Sequence, residues 1–252
     1  MNIEPREQLS KVPEVTLVFW VIKIFATTLG ETGGDTVSMS MHLGYLVGTW
    51  IFAVVFIAAV LVQVFAKKFH PAVYWMTIIA TTTVGTTLAD FADRSLGVGY
   101  AGGTAILFTL LMASLFTWYR TLGSIAVNSV NSPKAEMFYW VTIMFSQTLG
   151  TALGDWTADT AGFGYAGGAM VFGAALALVA GFYFLTNISR TALFWAAFIL
   201  TRPLGAVVGD FLDKPLNKGG LNLSRYTATA VLLGLIMACI FMFSHKPAKQ
   251  SH

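Results

Sequence analysis

The chain has 252 residues, of which 56% are hydrophobic and only 11% are charged, and its formal net charge is +3 at pH 7. A soluble domain carries roughly 25% charged residues, so this composition excludes an ordinary soluble protein and favours a protein of the lipid bilayer. The net charge is too small to suggest a nucleic-acid partner, and none is expected. The single cysteine, Cys239, excludes an internal disulfide and a cysteine metal cluster.

Long apolar segments follow one another along the chain, and each has about the 20 residues that a helix needs to cross the hydrocarbon core. We place them at 15–38, 42–66, 72–93, 99–120, 136–158, 164–186, 191–212 and 222–244. Strands of a membrane β-barrel would alternate apolar and polar residues, which these segments do not. The predicted fold class is therefore an all-α membrane protein with eight transmembrane helices.

The basic residues predict the side of the membrane on which each loop lies, because cytoplasmic loops are enriched in Lys and Arg. Nine fall on one side: Arg6, Lys11, Lys67, Lys68, Arg120, Lys134, Arg190, Lys246 and Lys249. Four fall on the other: Arg94, Lys214, Lys218 and Arg225. Lys23 and Arg202 lie inside spans. This bias predicts that both termini are cytoplasmic.

One pattern, W-x9-G-x4-D, occurs four times without a gap. Its members are Trp20, Gly30 and Asp35; Trp75, Gly85 and Asp90; Trp140, Gly150 and Asp155; Trp195, Gly205 and Asp210. Each copy begins a unit of two spans, so the pattern predicts four parallel two-helix repeats. A longer connection separates the second and third copies. The chain is thereby divided into halves, 1–127 and 128–252, of one integral membrane domain.

This pattern resembles a family of bacterial membrane proteins built from four tandem repeats of unknown function, each with two spans and a characteristic tryptophan. The resemblance covers nearly the whole chain. It implies a multi-pass protein of the bacterial inner membrane and brings no established activity. In the fourth repeat, Arg202 and Pro203 replace the Thr82 and Thr83 of the second.

Each repeat ends its first span with two acids at helical spacing, which puts both carboxylates on one helix face. The pairs are Glu31 and Asp35, Asp90 and Asp93, Asp155 and Asp159, and Asp210 and Asp213. The first Asp of each repeat is predicted to lie within the membrane, where charge is costly. We expect Asp93, Asp159 and Asp213 to be ordinary interfacial residues. The predicted metal-binding set is Asp35, Asp90, Asp155 and Asp210.

The first span of each repeat is also the polar one, so we expect it inside the bundle with the apolar second span around it. The predicted ion-binding residues add Glu31, Thr27, Thr83 and Thr148 to the four aspartates. Lys23 and Arg202 need partners inside the membrane, and Glu31 is expected to pair with one or both. That pair is either static or part of a charge relay.

Two further features have structural interpretations. The repeat glycines and the two GYAGG segments are expected to allow close helix approach. A break of the first helix near residues 30–34 would instead free backbone carbonyls as ion ligands. The four repeat tryptophans are predicted to anchor the helix ends at the membrane interface.

The predicted function is a secondary transporter or channel-like permease for a small hard cation, with Mn²⁺ favoured among metals that oxygen ligands suit. The alternatives are a proton-coupled transporter of a small organic substrate and a membrane scaffold that transports nothing. No enzymatic activity and no tightly bound cofactor are expected. The expected partners are the lipid bilayer and a small cation or solute, and homo-oligomerisation stays open.

Overall fold

The computed structural model describes residues 10–248. Arg6 and Lys249, which contributed to the predicted topology, lie outside the described residues. The described part contains eight long α-helices: α1 (Leu17–Asp35), α2 (Gly44–Phe65), α3 (Pro71–Asp90), α4 (Tyr100–Leu122), α5 (Pro133–Asp155), α6 (Gly164–Leu185), α7 (Arg190–Asp213) and α8 (Arg225–Met242). A π-helical turn extends α1, α3 and α5, at Thr36–Ser40, Phe91–Ser95 and Trp156–Thr160.

Each helix coincides with one of the predicted apolar segments, with bounds shifted by a few residues. Six of the eight are long and apolar enough to cross a membrane: α2, α3, α4, α6, α7 and α8. The other two, α1 and α5, are less apolar because polar residues such as Lys23, Glu31 and Gln147 occupy their buried faces. The all-helical fold, with these six candidate spans, is compatible with a multi-pass membrane protein.

Four inner helices form a closed ring in which α1 contacts α3, α3 contacts α5, α5 contacts α7, and α7 contacts α1. The four outer helices lie around it, with α2 on α3, α4 on α5, α6 on α7 and α8 on α1. The outer helix of each repeat therefore packs on the inner helix of the next. The most apolar stretch of α3 is 72% buried, whereas that of α2 is 6% buried. The polar first helices are inside, as their composition predicts.

The two described ends of the chain meet at one end of the ring. The backbone N–H of Glu14 donates to the carbonyl of Lys246 over 2.8 Å, and that of Ala248 donates to Val12 over 2.8 Å. Lys11 reaches the carbonyl at the end of α2 (Val64, 2.9 Å), which lies at the same end. These contacts hold the first and last repeats together.

The repeat glycines lie where inner helices touch. A Cβ atom on Gly30 would overlap Thr82 of α3, and one on Gly150 would overlap Arg202 of α7. A Cβ atom on Gly205 would likewise overlap Thr27 of α1. The prediction of close helix approach is confirmed for these repeat glycines. In the GYAGG segments it holds only for the last glycine of each, Gly103 against Asp93 and Gly168 against Val207. The alternative, a broken first helix with free carbonyls, is wrong because α1 continues to Asp35.

A glycine substitution tests this packing. We expect Gly150→Ala to destabilise the protein by about 1–3 kcal/mol, because the Arg202 stem would have to move from a crowded site. Gly173→Ala is the matched control: nothing lies within 4 Å of its would-be Cβ, and alanine favours the helix by about 0.5–1 kcal/mol. Thermal unfolding of the two purified variants in one detergent gives the comparison. Equal stability would contradict the close contact.

Three of the four repeat tryptophans do not anchor the helix ends at the interface as predicted, whereas Trp20 is half-buried. Trp75, Trp140 and Trp195 are at most 3% exposed. They contact aromatic residues of neighbouring inner helices, with Phe19 5.3 Å from Trp75 and Tyr74 5.7 Å from Trp140 between ring centroids. The Trp195 indole donates to the Ile125 carbonyl over 2.9 Å, whereas the indole nitrogens of Trp75 and Trp140 have no hydrogen-bond partner among residues 10–248. They form a buried aromatic end of the ring.

Candidate functional site

Because the repeats align without a gap, equivalent residues of the inner helices form layers along the ring. The aromatic layer contains Phe19, Tyr74, Tyr139 and Phe194. The acidic layer at the opposite ends of the same helices contains Asp35, Asp90, Asp155 and Asp210. Between them lies a central layer of Glu31, Thr86, Thr151 and Ala206. All of these side chains are buried.

The acidic layer is organised as two pairs of aspartates, each bridged by one base. Lys214 Nζ lies 2.7 Å from Asp35 Oδ2 and 2.8 Å from Asp210 Oδ1. Its position, just after the last residue of α7, brings it over the ends of α1 and α7. Burial opposes the lysine charge, but the nearby carboxylates of Asp210 and Asp35 raise the pKa of Lys214 well above its ordinary value. Lys214 is therefore a cation at neutral pH.

Arg94 plays the same part for the other pair. Its Nη2 lies 2.8 Å from Asp155 Oδ2, and its Nε lies 3.1 Å from Asp90 Oδ1. Arg94 and Lys214 both stand four residues after their repeat aspartate, a position held by Met39 and Asp159 in the other two repeats. This four-residue spacing is a usable sequence signal for Arg94 and Lys214, which count only as loop charges in the predicted topology.

The second acids of the repeats differ in their environment. Asp93 and Asp213 are 7% and 6% exposed, so the prediction of ordinary interfacial residues is wrong for these two. Arg225 Nε lies 2.5 Å from Asp213 Oδ2 and 3.7 Å from Asp35 Oδ2, which ties Asp213 to the acidic layer. Asp159 is exposed, as predicted.

The carboxylates of this end outnumber its bases. Seven are buried, namely Glu31, Asp35, Asp90, Asp93, Asp155, Asp210 and Asp213. Four basic side chains contact them, namely Arg94, Arg202, Lys214 and Arg225. Carboxylate oxygens of Glu31, Asp35 and Asp90 lie within 4.8 Å of one another, and so do those of Asp35, Asp210 and Asp213. These two triads could hold a hard cation or protons.

Arg202 joins all four inner helices in the central layer. Its Nη2 donates to Glu31 Oε2 over 3.1 Å, to Thr86 Oγ1 over 2.6 Å and to Thr151 Oγ1 over 2.5 Å. The predicted pairing of Glu31 with a buried base is thus present, with Arg202 as the partner. Lys23 does not pair with Glu31: its Nζ lies 4.1 Å from the centre of the Phe198 ring.

The predicted threonine ligands make other contacts. Thr27 donates to the Lys23 carbonyl over 3.0 Å, Thr83 to that of Ile79 over 2.7 Å, and Thr148 to that of Met144 over 2.9 Å. These bonds lie within each threonine's own helix, and Thr27 Oγ1 also lies 3.2 Å from the Thr201 carbonyl of α7. None of the three hydroxyls contacts an acid in the described part of the chain. The threonines that reach the charged network are Thr86 and Thr151. The signal for them is their alignment with Glu31.

A family model described as Repeat of Unknown Function (DUF347) matches residues 18–69, 73–124, 138–189 and 193–246. The chain belongs to this family. Each matched segment of the DUF347 repeat contains one inner and one outer helix, so the sequence repeat and the structural repeat coincide. No curated protein and no solved structure matches the chain.

Proposed function

We propose that this DUF347-repeat protein is a secondary transporter of a bacterial inner membrane, with all eight helices spanning the bilayer and four repeats in one orientation. Two kinds of contact support the shared orientation. Aromatic residues of neighbouring inner helices meet at one end of the ring, and aspartates of neighbouring inner helices share bases at the other end. The substrate path would run through the inner ring, where the polar residues are. The outer helices would face lipid.

The topology of this proposal has its own test. The described chain ends are hydrogen-bonded together, whereas Lys214 lies at the acidic end of the ring. We expect a reporter fused at the C-terminus to be cytoplasmic and one inserted in the loop 214–224 to be on the other side. Cysteine accessibility at the same two sites gives an independent reading. Both sites on one side would contradict eight spans.

The first candidate substrate is a small hard cation, with Mn²⁺ favoured among metals and the proton included. The observation that carries it is the acidic layer, in which buried carboxylates exceed the bases that contact them. Oxygen ligands suit Mg²⁺, Ca²⁺ and Mn²⁺, and they also take protons. An arriving cation would compete with Lys214 and Arg94 for the aspartates. The two bases could then displace the bound cation and so release it.

Flux into liposomes tests the cation candidate. Purified protein is reconstituted, and uptake of Mn²⁺, Mg²⁺, Ca²⁺ and protons is followed with trapped indicators at matched ionic strength. We expect saturable uptake of at least one of these ions, absent from liposomes that lack the protein. No flux of any ion would remove this candidate. If the protein transports no organic substrate either, the result would favour a scaffold.

The second candidate is proton-coupled transport of a small organic substrate. Lys23 and Arg202, both 0% exposed, favour it because two basic side chains inside the path do not suit the passage of a divalent metal and can bind an anionic group. In this candidate the acidic layer exchanges protons while the two bases bind an anionic group. Addition of organic anions separates the candidates: they would drive proton-linked flux in the second candidate and leave Mn²⁺ uptake unchanged in the first.

A further inference from the structure

A set of buried polar side chains between the aromatic and central layers has polar atoms without protein partners. We call it the central polar cluster: Lys23, Thr82, Ser146, Gln147 and Arg202. Each of the five is 0% exposed. Within residues 10–248, no hydrogen-bond partner reaches Lys23 Nζ, Thr82 Oγ1, Ser146 Oγ, either amide atom of Gln147, or Arg202 Nε and Nη1. A buried donor without a partner loses its hydration and gains nothing for it.

The members of this cluster lie close together in the ring. Thr82, Gln147 and Arg202 occupy equivalent positions of α3, α5 and α7, and Ser146 precedes Gln147. Each of the three leans over the repeat glycine of the preceding inner helix, as Arg202 does over Gly150. Lys23 Nζ lies over the Phe198 ring, and Phe198 stands one helical turn, about 6 Å, before Arg202. The ammonium and the guanidinium thus belong to adjacent layers.

The charge of this region is not balanced by protein groups. Glu31 is the one acid that contacts Arg202 among the described residues, and it does so through Nη2 alone. No carboxylate lies within 4.0 Å of Lys23 Nζ in the same part of the chain. A buried ammonium without a counter-charge is so costly that it either gives up its proton or binds an anion. The unused donors of Arg202, Ser146 and Gln147 favour the anion.

The walls indicate what kind of anion fits. The inner-facing residues at the level of Lys23 are Ile78, Ile143 and Phe198, all 0% exposed. They offer an apolar surface beside the cationic and amide donors. A halide would use the charges but not the apolar wall, whereas a small organic carboxylate uses both.

We propose that the central polar cluster is a binding site for a small organic carboxylate, with the carboxylate held between Lys23 and Arg202 and the organic part against Ile78, Ile143 and Phe198. The site lies beyond the acidic layer. The role of this site in transport rests on the second candidate function. Binding of the carboxylate does not, because it can be measured without flux.

The test is the thermal unfolding of the full-length protein in detergent, followed by tryptophan fluorescence. Sodium formate and sodium acetate replace sodium chloride at constant ionic strength. A ligand that binds only the folded state raises the Tm, and we expect acetate to raise it saturably by about 2 °C or more over chloride. Formate, which has no organic tail, is expected to give a smaller rise.

Lys23→Met is the diagnostic variant, because methionine keeps the length and apolar stem while removing the charge. We expect it to be at least as stable as the wild type without carboxylate and to weaken acetate binding about tenfold or more. Lys218→Met, at an exposed lysine of the 3₁₀ turn Leu216–Lys218, is the control and should respond like the wild type. If Lys23→Met does not fold, Gln147→Leu supplies the second measurement and should also weaken binding.

Three results would overturn the site: no rise of the Tm with either carboxylate, an equal response to chloride, or an unchanged response in Lys23→Met. A failure of the proposed transport is distinguishable from these. Acetate-dependent stabilisation without any flux would leave the site in place and remove the transporter. Cation flux without stabilisation would remove the site and leave the acidic layer.

Discussion

Arg202→Met is expected to destabilise the protein by about 3–5 kcal/mol, the usual cost of leaving one member of a buried ion pair alone. Arg202 is the donor through which Glu31, Thr86 and Thr151 meet in the middle of the ring. Without it, the Glu31 carboxylate is buried with no base in contact. Unfolding of the purified variant in detergent, by heat or by added sodium dodecyl sulfate, measures the loss.

A second substitution separates charge from packing. In Glu31→Gln/Arg202→Met the stranded charge is gone, and we expect about half or more of the lost stability to return, because apolar replacement of both members of a buried pair is often near neutral. Arg190→Met, at an exposed arginine at the start of the same helix, is the control and should cost within about 0.5 kcal/mol. A double variant no more stable than Arg202→Met would show that the guanidinium acts by filling space.

The sequence was sufficient for the helices and for their division into inner and outer sets. Segment length and hydropathy determine where a helix can cross a bilayer, and α2 and α1 differ enough in polar content to show which one lies inside. The pairing of Glu31 with Arg202 was also predictable, since a buried base needs an acid and few acids lie at that depth.

The packing of each outer helix on the inner helix of the next repeat was not predictable. Nothing in the sequence of α2 favours α3 over α1 as a neighbour. The predicted anchoring at the interface was wrong for Trp75, Trp140 and Trp195 for a related reason. A Trp near the end of a span is compatible both with a headgroup contact and with an inward contact to the next repeat. Only the ring geometry, which places Phe19 against Trp75, decides between them.

The bases of the acidic layer were missed because they lie beyond the predicted spans. The π-helical turn Phe91–Ser95 carries Arg94 over the ends of α3 and α5, and the residue after α7 carries Lys214 over α7 and α1. Their four-residue spacing from Asp90 and Asp210 is the feature that could have revealed them.

The two-pair arrangement makes single changes in the acidic layer informative. Lys214 contacts both Asp35 and Asp210, and Arg94 contacts both Asp90 and Asp155. When one aspartate of a pair becomes asparagine, the base keeps the other as its partner. The four single variants are therefore expected to fold, with shape and hydrogen-bonding capacity retained and one charge removed.

We expect each single variant to reduce flux into liposomes about tenfold or more, namely Asp35→Asn, Asp90→Asn, Asp155→Asn and Asp210→Asn. The charge of a membrane-buried carboxylate is maintained at a cost, and it therefore marks the ion path. Asp159→Asn is the matched control, because Asp159 is exposed and follows α5, the helix that ends at Asp155. Flux through this variant should stay within about twofold of the wild type. Initial rates at equal protein-to-lipid ratio are the measurement. Unchanged rates in all four single variants would separate the acidic layer from transport and favour the scaffold.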